Sequence, residues 1–335
     1  MKEKKILQTT VELSDKFAHY KKRVHEYLSV KINPRRPFNL YDPIYYTMSG
    51  DGKRLRPALT MLTAEAFSGS IDDALPAAAA IELLHNFTLV HDDIMDRDDT
   101  RRGRATVHNK WDINVALLAG DGLVALAYET LLETPSDKIL AMSKLFTQGL
   151  IEVCEGQGLD IEFETRDDVL ADEYLDMIGK KTACLLSMCT QIGGLVSNAS
   201  PADIALLKEF GWSLGIAFQI QDDLLDITAD QNVLGKDFGS DIKQHKKTYI
   251  LIHALGAGTP AQVHMIRDIY KKDYMRDEDI LKVIDIFSEI GALKHTEDLA
   301  ANYFSIAKKS LADLSSEADT TYLEQFLNLV LNRKA

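Results

Sequence analysis

The sequence is poor in several things, and each shortage excludes something. Of its 335 residues only three are cysteine (Cys154, Cys184 and Cys189), and no two form a C-x-x-C pair. A disulfide-built scaffold and a cysteine zinc site are therefore not expected. Proline is scarce, 8 in all, and no Pro/Gly/Ser-rich tract marks a linker. Length alone allows about two domains, but with no boundary visible the chain reads as one domain over residues 1–335. Basic residues are in deficit, 38 Lys and Arg against 51 Asp and Glu, for a net charge of −13. That balance argues against non-specific nucleic-acid binding and against docking on anionic lipid. The longest unbroken apolar run, Ala74 to Ile81, is short of a membrane span and contains Pro76. The N-terminal stretch MKEKKILQTTVELSDKF lacks the apolar centre of a signal peptide. A cytoplasmic, reduced protein with no integral membrane segment is the expectation.

What is present is apolar residue at helical spacing. Apolar residues make up 46% of the chain, enough for a sizeable core. Ala77 to Arg97 holds no Gly or Pro, and Asp73 and Pro76 upstream suit a helix start. Ser200-Pro201-Ala202-Asp203 resembles a capping box opening a helix to about Ile227. Gly120–Thr134, Asp137–Gly156, Asp167–Ser197 and Asp319–Leu331 also read as helical. Alternating strand patterns bounded by turn pairs are nearly absent. The fold class is all-α, with many helices.

Two acidic clusters carry the chemistry. The first long helix ends in His91-Asp92-Asp93-Ile94-Met95-Asp96, so Asp92 and Asp96 stack on one helical face. Carboxylates at that spacing repel unless well solvated or bridged by a cation. The second long helix repeats the D-D-x-x-D spacing with Asp222, Asp223 and Asp226. A single copy could be a solvated helix end. Two copies on apolar helices, oxygen-only and without Cys, suit Mg²⁺ completed by water and substrate phosphate. Cations follow the acids: Arg101-Arg102-Gly103-Arg104 after the first cluster, and Gly235-Lys236-Asp237 and His245-Lys246-Lys247 after the second. Gly52-Lys53-Arg54-Leu55-Arg56-Pro57 adds a fourth basic group. Metal-holding acids beside Lys and Arg suggest a diphosphate site. Arg54 and Arg104 read as surface cations.

From about Gly50 to Leu255 the chain resembles the trans-type polyprenyl diphosphate synthases. The resemblance rests on GKRLRP, the His85 helix, DDIMDRDDTRRGRATVH, GQGLDIEFE, KKTA, GIAFQIQDDLLDI and GKDFGSD, in that order. It implies the isoprenoid synthase fold, a many-helix bundle around a central active-site cavity, and a homodimer. It also implies two or three Mg²⁺ ions bound with the substrate diphosphate, and ionisation, condensation and elimination as the mechanism. Carried over by position, Asp92, Asp96 and Asp222 would hold Mg²⁺, with Asp93, Asp223 and Asp226 supporting them. Arg101, Lys181, Thr182, Gln219, Lys236 and Lys246 would hold an allylic diphosphate (dimethylallyl, geranyl or farnesyl). Lys53, Arg56, His85 and Arg102 would hold isopentenyl diphosphate. The catalytic set is the six aspartates with Arg101, Lys181 and Lys236. His245 stands where the family usually has Gly, and Tyr249 where it usually has Leu.

Product length is expected from residues just upstream of the first cluster. Phe87 and Thr88, with a plain D-D-x-x-D, resemble the geranylgeranyl-producing branch, and the twenty-carbon product is the expectation. Farnesyl or twenty-five-carbon products are the alternatives. A class I terpene cyclase would ionise the same diphosphate, but it would leave GKRLRP and the paired arginines with nothing to bind. A metal phosphohydrolase built on His91-Asp92 would leave the second cluster unexplained. The lone Glu82-x-x-His85 cannot make a di-iron bundle, which needs two such motifs. A non-catalytic partner subunit would be expected to have lost aspartates, and all six are present.

Overall fold

The structure is a computed structural model that describes residues 2–228, 239–272 and 274–331, with side chains from residue 13 onward. Helices dominate it, as the periodicity predicts. The described residues fall into two compact units, one made of 1–150, 185–208 and 311–326, the other of 151–184, 209–310 and 327–335.

The first unit contains α1 (Lys2–Lys31), α2 (Phe38–Met48), α3 (Leu55–Ala66), α4 (Ile71–Met95), α5 (Val107–Lys110) and α6 (Ile113–Leu131). It also takes the first part of α7 (Ile139–Thr165), most of α9 (Cys184–Val196) and the first turns of α10 (Pro201–Thr228). α4 packs on α6 and α3. Its run from Ala77 to Ile81 is wholly buried, as expected of a helix apolar on every side. The four alanines Ala77–Ala80 have no bulk to hold neighbouring backbones away. α4 starts earlier than the sequence suggests. Ser70 is its N-cap, its hydroxyl accepting from the Asp73 amide at 3.3 Å, and Pro76 lies inside the helix.

α6 is the one described helix long and apolar enough to cross a membrane by length and composition, a run broken in the sequence by Gly120, Asp121 and Gly122. It carries Asp121 mid-helix and packs on α4 and α2 within this unit.

A two-residue antiparallel ladder, β1 (Thr100–Arg101) with β2 (Arg104–Ala105), was not expected. Its signal is Arg102-Gly103. Both residues have positive φ, 53° and 72°, which a two-residue hairpin turn of the primed type requires.

The second unit is built on α8 (Ala171–Ile178), the bulk of α10, α11 (Ser240–Lys243), α12 (Tyr249–Ala257), α13 (Pro260–Tyr270), α14 (Asp277–Ile290) and α15 (Ala292–Ala312). α16 (Thr321–Leu331) is divided between the units. Ile220, Ile250, Ile266, Ile280, Val283 and Phe287 form the second unit's core. The helical stretch expected over 167–197 is α8 and α9 joined by a π-helical turn, Gly179–Ala183. The wide turn carries Lys181 and Thr182. It lies so close to Gly156 that a Cβ there would strike the Lys181 backbone.

Candidate active site

In the first unit the site is assembled at the end of α4. One residue step turns a helix by about 100°, so Asp93 points inward while Asp92 and Asp96 share an outer face. Asp93 is 4% exposed, whereas Asp92 is half-buried and Asp96, the C-cap, is exposed. Acidic groups at a helix C-terminus face the negative end of the macrodipole. That cost is removed by a cation. Arg101 from β1 donates through Nε to Asp93 Oδ1 and reaches Asp98 at 3.5 Å. Burial pushes the Asp93 carboxyl above the ordinary range, and Arg101 opposes the shift.

The glycine–lysine loop before α3 lies beside α4. Arg54, expected on the surface, is instead buried. Its guanidinium pairs with Glu82 and donates to the Met48 carbonyl at 2.6 Å, because only an ion pair lets both charges stay inside. Glu82 in turn accepts from Asn86 Nδ2 at 2.9 Å. Arg104 is also not a plain surface cation, since its guanidinium lies 3.8 Å over the Tyr46 ring. Arg56 Nη1 lies 3.0 Å from His85 Nε2, and His85 Nδ1 is buried without a hydrogen-bond partner. Burial, then Arg56, Arg102, Arg101 and Arg54, hold the imidazole well below its usual pKa, so it is neutral at pH 7. Guanidiniums crowded around a neutral histidine make a strongly anion-seeking pocket. Lys53 is exposed. Tyr46, Asn86, Asp93, Arg101, Arg102 and Arg104 line one cavity here.

Phe87 meets His91 edge to face at 4.8 Å, and Thr88 is buried with its hydroxyl on the His85 carbonyl at 2.8 Å. His91 Nε2 lies 3.3 Å from the Leu117 carbonyl of α6.

In the second unit one cavity is lined by Lys181, Thr182, Gln219, Asp223 and Lys246, together with Asp160, Tyr174, Asp241 and Lys247. Five residues named from the sequence thus meet there, although they lie far apart in the chain. Lys181 pairs with Asp160 at 2.6 Å, and Lys246 with Asp241 at 3.4 Å. Thr182 donates to Gln219 Oε1 at 3.0 Å, and Gln219 Nε2 donates to Asp223 Oδ1 at 3.0 Å. Tyr174 donates to the other Asp223 oxygen. Burial and the neighbouring Asp241 push the Asp223 carboxyl up to about 8, against those two hydrogen bonds. Asp222 is half-buried. Asp226 accepts from Ser240 Oγ at 2.7 Å and from the Asp241 amide at 3.0 Å, tying the chain after α10 to the helix. Lys236 lies outside the described residues.

His245 adopts φ 58°, the left-handed region that favours glycine, and its ring is held by the Tyr270 carbonyl at 2.8 Å from Nδ1. The Tyr249 hydroxyl meets His295 Nε2 at 3.1 Å. Both departures from the usual pattern are thus accommodated without displacing Lys246 from the cavity.

Asp160, Tyr174 and Asp241 complete the cavity beyond the residues that the sequence assigns to it. Asp160 and Asp241 sat in the GQGLDIEFE and GKDFGSD segments, which was their signal. Tyr174 had none. Among the described residues no three His, Cys, Asp or Glu side chains form a closed metal cage.

A fold dominated by helices among the described residues, with two D-D-x-x-D helix ends each bordered by cations, defines the isoprenoid synthase class. The chain belongs to the polyprenyl synthetase family, whose profile matches residues 38–287. It is 39% identical over 332 residues to a geranylgeranyl diphosphate synthase of Methanosarcina mazei, covering 98% of this chain and 99% of that protein. A geranylfarnesyl diphosphate synthase of Natronomonas pharaonis is 34% identical over 329 residues, with 92% and 94% covered. The crystal structure of a geranylgeranyl pyrophosphate synthetase from Pyrococcus horikoshii superposes with a TM-score of 0.89 at 35% identity, over 96% of this chain and 99% of that one.

Proposed function

We propose that the protein is a trans-prenyltransferase that condenses isopentenyl diphosphate with an allylic diphosphate to give geranylgeranyl diphosphate. The observation that carries this is the pairing, in each unit, of a D-D-x-x-D helix end with placed cations. In the first unit Lys53, Arg56 and Arg102 bind the diphosphate of isopentenyl diphosphate, and neutral His85 offers it a neutral hydrogen bond. In the second unit Lys181, Lys246, Thr182 and Gln219 bind the allylic diphosphate. In the first unit Asp92 and Asp96 would hold Mg²⁺, and in the second Asp222 would do so, two or three ions in all being bound with substrate diphosphate and supplying charge that offsets that developing on the leaving group. Arg101, fixed by Asp93, adds positive charge at the first cluster. Gln219 and Tyr174 each donate to one Asp223 oxygen, and Tyr174 thereby ties the end of α10 to α8. No side-chain nucleophile is needed. Cleavage of the allylic C–O bond releases diphosphate and leaves a cation, the isopentenyl double bond attacks it, and the released diphosphate takes up the proton whose loss restores the alkene.

Phe87, braced edge-on by His91, is our choice for the floor that stops growth at twenty carbons, with Thr88 behind it. Phe87→Ala is expected to lengthen the products. An unchanged distribution would remove Phe87 from that role. Farnesyl or twenty-five-carbon synthesis is the nearest alternative. The exposed Ile113, Leu117 and Leu118 on α6 support a homodimer, which sedimentation would reveal. A cytoplasmic setting goes with this reading, since none of the three cysteines is in a disulfide. The enzyme reading is tested by Mg²⁺-dependent transfer of labelled isopentenyl diphosphate into organic-extractable product. Transfer should vanish with EDTA and fall sharply in Asp92→Asn and Asp222→Asn. Equal transfer by all three proteins would reject it.

A further inference from the structure

Rungs of backbone pairing in the arginine hairpin are few: Thr100 faces Ala105 and Arg101 faces Arg104. A two-stranded ribbon of that size is marginal in water on its own. Its first strand is tied down by Arg101 to Asp93 and Asp98. The second strand has another anchor. Tyr46, from α2, donates its hydroxyl to the Ala105 carbonyl at 2.9 Å. Its ring lies 3.8 Å from the Arg104 guanidinium and 3.8 Å from the Lys110 amine, and meets Trp111 edge-on at 5.3 Å. One aromatic side chain therefore joins α2, β2 and α5. The loop after α2 is shaped to match. A Cβ on Gly52 would lie 2.6 Å from Arg102 Nη1, and one on Gly50 would lie 3.4 Å from Arg104 Nη1.

We infer that Tyr46 is a positioning residue for isopentenyl diphosphate, acting by clamping β2 so that Arg102 at the turn stays aimed at the substrate. It does not touch the reacting atoms. This rests on the assignment of Arg102 to isopentenyl diphosphate made above. Tyr46→Phe removes the hydroxyl bond and keeps the ring under both cations. Tyr46→Leu removes both kinds of contact.

Two readouts are needed, one independent of activity. Limited trypsin digestion of the full protein, with fragments identified by mass, reports opening of the Arg101–Arg104 turn. Tyr46→Leu should raise cleavage there about tenfold and Tyr46→Phe about threefold, with other sites unchanged. In steady-state assays the KM for isopentenyl diphosphate should rise in the same order, while kcat and the allylic KM stay within about twofold. Unchanged hairpin cleavage in Tyr46→Leu overturns the clamp whatever the activity. Arg102→Ala separates the remaining outcomes. If it raises the isopentenyl KM and Tyr46→Leu does not, the inference fails alone. If Arg102→Ala leaves that KM unchanged, the substrate assignment fails first and takes the inference with it.

Discussion

Glu82→Gln removes one charge from the buried pair that anchors the glycine–lysine loop. The Arg54 and Glu82 side chains are 8% and 3% exposed, so neither charge is screened by water. The amide keeps the volume of Glu82 and can still accept from Asn86, but Arg54 loses its counter-charge. Breaking a buried pair by removing one partner costs about 3–5 kcal/mol. Arg54 keeps the Met48 carbonyl at 2.6 Å and a weaker contact to Gly50 at 3.4 Å. The cost should therefore sit near the low end, about 3 kcal/mol. Unfolding entropy of about 2.1 cal/mol/K per residue gives roughly 0.4 kcal/mol/K for a unit of roughly 190 residues. The expected fall in Tm is then about 7 °C, read by calorimetry on the transition that contains this unit. Arg54→Met combined with Glu82→Leu should recover most of the loss, because a matched apolar pair no longer strands a charge. A Glu82→Gln protein melting within about 1 °C of the parent would refute burial of the pair.

Two further substitutions probe each unit separately. Gly156→Ala places a Cβ against the Lys181 backbone, so the π-turn must move. We expect a loss of about 1–3 kcal/mol in chemical denaturation and a raised KM for the allylic substrate, and parental values for both would show the turn to be free. The pH dependence of stability reports on His85. Its folded pKa lies well below 6.5 while the unfolded chain takes up its proton near 6.5. Its contribution is therefore full above pH 6.5 and is lost as pH falls through the window below it, by at most about 1.4 kcal/mol per pH unit. His85→Asn should flatten the stability profile below about pH 6.5, and identical slopes in both proteins would show that His85 titrates normally.

Much of the fold was legible because long apolar helices announce themselves by period. The ends of α4 and α10 were found through their aspartates, which sit at fixed helical spacing. Three features were hidden for physical reasons. The π-turn at Gly179–Ala183 depends on a glycine on another helix, which local periodicity does not register. The hairpin has too few residues to alternate, and only Arg102-Gly103 marks it. Arg54 looked like a surface cation because its partner, Glu82, lies 28 residues away. The second-unit cavity shows the same limit from the other side. Lys181, Thr182 and Gln219 carried motif signals, whereas Tyr174 is recognised only once its hydroxyl is seen on Asp223.

The central claim is met most directly by sizing the product. The protein, Mg²⁺, isopentenyl diphosphate and farnesyl diphosphate are incubated, the products dephosphorylated, and the alcohols separated by chain length. The account predicts geranylgeraniol as the dominant alcohol, with none formed when Mg²⁺ is withheld. Recovery of farnesol alone, the unextended starter, would contradict it.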